Sequence, residues 1–204
     1  MSTIILQPDG AVGLDNWMGL ENPTGNYGTD ADLYIGEYDA VYRTLIKFSG
    51  LSNGTIPSTA IVSSAILSLY ALTDFSSNAR TFRVFRQLRA WVETESTWNI
   101  WSTGNNWQTA GGFGVADCEQ TDIGSRAFTA TETLNEFKAF PLTASKIQEI
   151  IAGTFTNNGF LMKTDTEADD MYKFASSDNA TAANRPKLTV VYTTPATAMQ
   201  VIII

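Results

Sequence analysis

The stretch Ala65-Ile-Leu-Ser-Leu-Tyr-Ala71 decides the class of fold, because its strongly apolar side chains recur at every second position. Ala65, Leu67, Leu69 and Ala71 fall on one face, and Ile66, Ser68 and Tyr70 fall on the other. A period of two is the repeat of a β-strand that is buried on one side. We therefore predict a half-buried strand here.

Three further stretches, residues 42–48, 81–88 and 188–193, show the same alternation. In the first of them, the residues predicted to face the core are Tyr42, Thr44, Ile46 and Phe48, with Arg43 and Lys47 opposite. Turn-forming pairs such as Asn53-Gly54 and Asn158-Gly159 separate these stretches. Many short strands with glycine-rich connections predict an all-β fold, a jelly-roll-like antiparallel β-sandwich.

One short helix is predicted over residues 142–153. Thr143 fits the N-cap position, Leu142 and Ile147 fit a hydrophobic staple, and Gly153 fits the position after the C-cap. A helix of roughly ten residues is too short to be stable alone. We therefore expect it to cover an open end of the sandwich.

The length of 204 residues suits one large all-β domain, and 44% hydrophobic residues suffice for its core. We expect residues 1–194 to form this domain and residues 195–204 to form an apolar tail. The tail ends in Val201, Ile202, Ile203 and Ile204. Four such side chains left in water would promote aggregation. Two solutions are open: pairing with Ser2–Leu6 of the same chain, or docking on a neighbouring subunit, which we favour.

The composition excludes several classes of function. The chain has no histidine, which removes His-dependent catalysis and His-ligated metal sites. The single Cys118 cannot form an internal disulfide and is expected to be a packed thiol. A net charge of −8 argues against binding to nucleic acid or to an anionic membrane. The N-terminus lacks the basic and apolar regions of a signal peptide, so we expect synthesis without a secretory leader.

Four of the five tryptophans lie in one polar segment, residues 90–112. They are Trp91, Trp98, Trp101 and Trp107. Such indoles either plug the edge of a core or present flat faces to a partner. We expect Trp98 and Trp107 to be plugs that order the loop against the end of the sandwich.

Several motifs in chain order resemble the DNRLRE-domain family, whose members are β-sandwich modules related to carbohydrate-binding modules. The motifs include Gln7-Pro-Asp-Gly10, Asn26-Tyr-Gly28, Leu33-Tyr-Ile-Gly36, Arg43-Thr-Leu-Ile-Lys-Phe48, Val62-Ser-Ser-Ala-Ile-Leu-Ser-Leu-Tyr70, the tryptophan-rich segment and Asn184-Arg-Pro-Lys-Leu-Thr-Val-Val-Tyr192. The resemblance implies a β-sandwich and a non-catalytic binding or surface role.

Two kinds of binding site are predicted from the loops. Trp17, Tyr27 and Trp101 are the candidates for stacking on a glycan, because an exposed ring can pack on the C–H face of a sugar. Carboxylates could hold a structural calcium ion on oxygen ligands. The candidate ligands are Asp9, Asp15, Asp30 and Asp32. No other cofactor is expected.

Three carboxylate pairs could be imagined as glycosidase acids. They are Glu93 with Glu95, Glu132 with Glu136, and Asp169 with Asp170. All three lie in polar stretches, where solvated surface charge is the default. We therefore expect no catalysis.

Two functions are favoured over an enzyme. The first is a virion structural or decoration protein on the head or tail surface of a bacteriophage, with an optional glycan-adhesive role. Its partners would be copies of itself, other virion proteins or a surface polysaccharide. The second is a free-standing or excised extracellular carbohydrate-binding module.

Overall fold

The chain folds into thirteen β-strands and one α-helix in the computed structural model, which describes residues 1–75 and 78–195. The strands are β1 (Ser2–Leu6), β2 (Leu14–Gly19), β3 (Asp32–Glu37), β4 (Val41–Lys47), β5 (Ile61–Asp74), β6 (Arg80–Arg86), β7 (Ile100–Ser102), β8 (Asn105–Asn106), β9 (Gly124–Phe128), β10 (Glu136–Leu142), β11 (Phe160–Thr164), β12 (Tyr172–Ala175) and β13 (Lys187–Thr193). The helix α1 spans Ala144–Ile151. The strand pairings are antiparallel, as expected from the sequence.

Eight of the strands close into a barrel, and the predicted plain sandwich is wrong in this respect. The order around the barrel is β5-β10-β9-β6-β11-β4-β3-β12, and β12 returns to β5. Closure is feasible because β5 is 14 residues long. One edge of β5 pairs with β13 along its first part and with β12 from Ala71 to Asp74. β1 extends the sheet beyond β13, and β2 pairs with β4.

The barrel interior holds the main hydrophobic core. Leu67 and Leu69 of β5 are fully buried in it, and this confirms the predicted face of the alternating stretch. The core also includes Phe82, Phe128 and Phe140 from three strands that follow one another around the barrel. Leu88, which we assigned to the alternating pattern of residues 81–88, lies beyond the end of β6 and is 39% exposed.

The helix lies close to its predicted position. It begins after Thr143, but that side chain makes no capping hydrogen bond. Gly153 adopts a positive φ of 75° after the C-cap, as predicted. Ile147, together with Ile150 and Ile151, packs into the main core, so the helix is held by burial rather than by a side-chain cap.

The tryptophan-rich segment covers the outer face of the sheet rather than one end. Leu45 and Leu161 point away from the barrel interior and pack with Trp98, Trp107 and Cys118 in a second hydrophobic cluster. Both tryptophans are buried, which confirms them as plugs. Cys118 is a buried free thiol, and burial raises its pKa.

Several charged side chains are buried, including one that the sequence analysis expected to be solvated. Lys138 is only 1% exposed, and its Nζ donates to Glu132 and Glu136 at 2.8 Å each. Arg86, also 1% exposed, pairs with two further glutamates. Asp170 is fully buried, so the interpretation as solvated charge is wrong for this residue.

The predicted tail residues 196–204, with Val201, Ile202, Ile203 and Ile204, lie outside the described residues. Ser2–Leu6 pairs with β13, with Ser2 opposite Tyr192 and Leu6 opposite Leu188. Within residues 1–75 and 78–195, no helix is long and apolar enough to cross a membrane.

Candidate functional site

A groove lined by aromatic side chains and carboxylates opens beside the turn between β3 and β4. Its aromatic residues are Trp17, Tyr34, Tyr38, Tyr42 and Phe75. The acidic residues Glu21, Asp30 and Asp39 line it as well. The groove has a volume of about 410 Å³, and we refer to it as the aromatic groove.

Three neighbouring strands bring the inner rings together. β2 and β3 both pair with β4, and Gly19 of β2 and Gly36 of β3 each lie opposite Tyr42. A Cβ on Gly19 would lie 3.1 Å from the ring of Tyr42 and 3.2 Å from that of Trp17. The missing side chain therefore lets these two rings approach, and their centroids are 5.8 Å apart.

The indole of Trp17 is fixed on two sides. The ring of Tyr27 stacks on it with centroids 3.6 Å apart, and its Nε1 donates to Asp30 Oδ2 at 3.0 Å. The side chain is only 7% exposed. The expectation of an exposed platform is therefore wrong for Trp17, which forms a fixed wall of the groove.

The exposed rings of the groove belong to two residues that the sequence analysis missed. Tyr38 is 53% exposed and Phe75 is 36% exposed, and their ring centroids are 5.9 Å apart. Tyr38 lies in the turn between β3 and β4, and Phe75 directly follows β5. These two rings present apolar surface to solvent next to the wall formed by Tyr34, whose centroid lies 6.3 Å from that of Phe75. In the sequence, the signal that could have identified these two residues is a single aromatic residue in each of two polar turns.

The electrostatics of the aromatic groove are negative. Of the described residues that line it, three are carboxylates and none is Lys or Arg. Burial, and secondarily the neighbouring Glu21 carboxylate, raises the pKa of Tyr42. Burial also raises the pKa of Tyr34. Both phenols therefore stay protonated at neutral pH, and the hydroxyl of Tyr42 already forms a hydrogen bond with Glu21.

Of the other two predicted stacking residues, Tyr27 packs against the wall of the groove and Trp101 lies elsewhere. Tyr27 is half-buried and covers the face of Trp17. Trp101 packs against the second hydrophobic cluster, and the guanidinium of Arg89 lies 5.6 Å from its ring centroid. The structure therefore does not join Trp101 to the aromatic groove.

The four predicted calcium ligands each have a separate partner. Asp9 accepts from the Ala11 N–H, and Asp30 accepts from Trp17. Asp15 accepts from the Ser177 N–H at 2.8 Å, and Asp32 pairs with Lys173 at 3.2 Å. Among the described residues, no three carboxylates or thiols are grouped as a metal site. The predicted quartet is thus not assembled into one site.

Asp15 is nevertheless an unusual carboxylate. Its side chain is 2% exposed, and burial raises its pKa to about 7. The nearby charges of Glu93 and Asp178 add to this effect. Glu93 accepts from the backbone N–H of Asp15, so both carboxylates take part in holding the start of β2.

The three imagined catalytic pairs have structural contacts. Glu132 and Glu136 share Lys138. Glu95 accepts from the Thr103 N–H, as Glu93 does from Asp15. Asp169 accepts from the Asn78 side-chain amide, and Asp170 accepts from the Glu37 N–H. Burial raises the pKa of Asp170 to about 6.

A comparison with protein families identifies the module. The profile of the Disaggregatase related repeat domain matches residues 15–190, which is most of the chain. The chain belongs to this family. The assignment to the DNRLRE-domain family is therefore wrong. It rested on short turns and alternating strands, which many β-rich modules share. The part that matches the disaggregatase related repeat includes every residue of the aromatic groove. No curated protein matches the sequence.

Proposed function

We propose that this protein is a non-catalytic glycan-binding module and that the aromatic groove is its binding site. The observation that carries the proposal is the exposure of Tyr38 and Phe75 beside a wall of fixed aromatic rings. Rings of this kind pack on the C–H faces of sugars, and nearby carboxylates accept hydrogen bonds from sugar hydroxyls.

The dimensions of the groove fit a short glycan segment. Its volume of about 410 Å³ lies within the range of roughly 300–1,000 Å³ that is typical of ligand sites. The wall needs little reorganisation on binding, because Trp17 is held by Tyr27 and Asp30. A preformed site of this kind loses less entropy when it binds.

The absence of catalysis is part of the proposal. The sequence has no histidine. The carboxylates of the three pairs considered from the sequence are engaged in ion pairs or hydrogen bonds. A glycan-binding role suits both a virion surface protein and an extracellular module. These two locations stay predictions from the sequence.

The experiment is affinity electrophoresis and calorimetry of the full chain with a panel of soluble polysaccharides. Replacing Tyr38 and Phe75 together with Ala should weaken binding at least about tenfold, equivalent to about 1.4 kcal/mol. Both side chains are exposed, so the fold should persist. The matched control replaces Leu88 and Val115, which are 39% and 68% exposed and do not line the groove.

Two results would overturn the proposed function. One is binding that the Tyr38 and Phe75 replacements leave unchanged, because the site would then lie elsewhere. The other is no binding to any member of a panel that includes neutral, anionic and cationic glycans.

A further inference from the structure

We infer that the aromatic groove selects glycans with protonated amines, such as unacetylated hexosamine units. This inference rests on the proposed function, since it concerns the ligand class of the same groove. Two independent features of the structure carry it, the charge of the groove and the distribution of cations over aromatic rings.

Beside the three carboxylates of the groove, no Lys or Arg is among the described residues that line it. Glu21 and Asp39 are exposed, and Asp30 is half-buried. The hydrogen-bond donor to Asp30 is the indole of Trp17, which is neutral. Lys173, which acts on the pKa of the groove residue Tyr34, pairs with Asp32 outside the groove. The acidic side chains are therefore left without a cationic partner of the groove itself.

The second feature is the placement of cations over aromatic rings. Elsewhere the protein places cations over its rings: Lys187 Nζ lies 3.7 Å from the centroid of Phe137, and the Arg86 guanidinium lies 3.7 Å from that of Phe155. Over the five groove rings, no Lys or Arg is found among the described residues. The two exposed rings, Tyr38 and Phe75, can therefore attract a cation from a ligand.

An amino sugar satisfies both features at once. Its ring can stack on Tyr38 and Phe75, and its ammonium can form charge-assisted hydrogen bonds with Glu21 or Asp39. A neutral sugar would gain the stacking without the charge-assisted bonds. A uronate or sulfate would be repelled by the three carboxylates and by the net charge of −8.

The test compares two oligosaccharides of equal length, a glucosamine oligomer with free amines and its fully N-acetylated counterpart. Calorimetry is carried out at mildly acidic pH, where the sugar amines are protonated. The free-amine oligomer should bind at least about tenfold more tightly at low salt, equivalent to about 1.4 kcal/mol. Its advantage should shrink at roughly 1 M salt, where the Debye length is about 3 Å.

Paired variants identify the carboxylates responsible. Glu21→Gln with Asp39→Asn should remove most of the preference for the free amine, because both replacements keep the acceptor oxygen and lose the charge. The control is Glu95→Gln with Asp122→Asn, which makes the same change of net charge outside the groove. The control should keep the preference.

The outcomes separate the inference from the proposed function. If the acetylated oligomer, or another neutral or anionic glycan, binds as tightly as the free amine and requires Tyr38 and Phe75, the inference fails and the function stands. A preference that persists in the Glu21 and Asp39 variant also overturns the inference. If no glycan binds, both fail.

Discussion

Trp17 and Tyr27 stack almost parallel, with an interplanar angle of 11° and ring centroids 3.6 Å apart. The contact joins β2 to the loop that follows it. Asn16, the neighbour of Trp17, accepts from the Tyr27 N–H at 3.1 Å and donates to Ser96 O in the tryptophan-rich segment. The adjacent residues Asn16 and Trp17 of β2 therefore connect the tryptophan-rich segment to the wall of the aromatic groove.

Replacing Tyr27 with Ala should lower the free energy of unfolding by about 1–3 kcal/mol, because stacked aromatic pairs add to the energy of burial. Urea unfolding measures the change. Tyr27→Phe is the control and should retain most of the stability, since the hydroxyl contacts the exposed Asn22. Equal losses in both variants would contradict the role of ring stacking.

Three of the four tryptophans of the segment should differ in their effect on stability. Trp98→Ala and Trp107→Ala should each cost about 3–5 kcal/mol, because each indole fills buried space over the sheet. Trp101→Ala should cost much less, because its ring is half-buried. Thermal unfolding provides the comparison, and equal destabilisation by all three would show that Trp101 is also a plug.

Much of the strand pattern could be predicted from the sequence, because a half-buried strand imposes a local period of two. β4, β5 and β13 were found this way. Barrel closure could not be predicted from the sequence, because it depends on the pairing of β12 with the last residues of β5. No local pattern specifies which strand meets Asp74.

The candidate site was predictable only in part. Trp17 and Tyr27 stand out as aromatic residues in a polar loop, and the structure brings them together. Tyr38 and Phe75 are single aromatic residues in different turns, and they meet through the register of β3 and β4 and the end of β5. The buried Lys138 was missed because its partners depend on the tertiary fold.

Asp15 should make the protein less stable as the pH rises from about 4 to about 7. Burial raises its folded-state pKa from the ordinary value of 3.8 to about 7. The unfolded chain therefore releases the proton first, and stability falls across this window. Asp15→Asn should flatten that part of the pH profile and be more stable than the wild type at pH above about 7.

Urea unfolding at a series of pH values tests this prediction, with Asp122→Asn as the control. The asparagine oxygen can still accept from the Ser177 N–H, so the hydrogen bond of Asp15 is retained in kind. Parallel pH profiles for Asp15→Asn and the wild type would contradict the prediction.

Glu132 should make the protein less stable as the pH falls, which is the opposite of the effect predicted for Asp15. Burial alone would raise its pKa, but the hydrogen bonds from Lys138 and the Thr129 N–H outweigh it and lower the pKa from 4.5 to about 2. Its stabilising effect is complete above about pH 4.5 and is lost as the pH falls towards 2. Glu132→Gln should be less stable at neutral pH and should lose less stability over that window. Glu136→Gln is the control, because Glu136 is exposed. Equal acid sensitivity in Glu132→Gln and the wild type would contradict the assignment.

Deleting residues 196–204 should reduce the oligomeric state, because we propose that the tail docks on a second copy of the chain. Burying Val201, Ile202, Ile203 and Ile204 is worth roughly 6–10 kcal/mol at about 1.5–3 kcal/mol each. Within the chain, one edge of β1 is already taken by β13, with Ser2 opposite Tyr192. Light scattering over a range of concentrations measures the mass. A control that keeps the length but replaces the four residues with Ser should behave like the deletion, since apolar burial is the cause. If the full-length chain and both variants form particles with the same number of subunits, the tail does not assemble the protein.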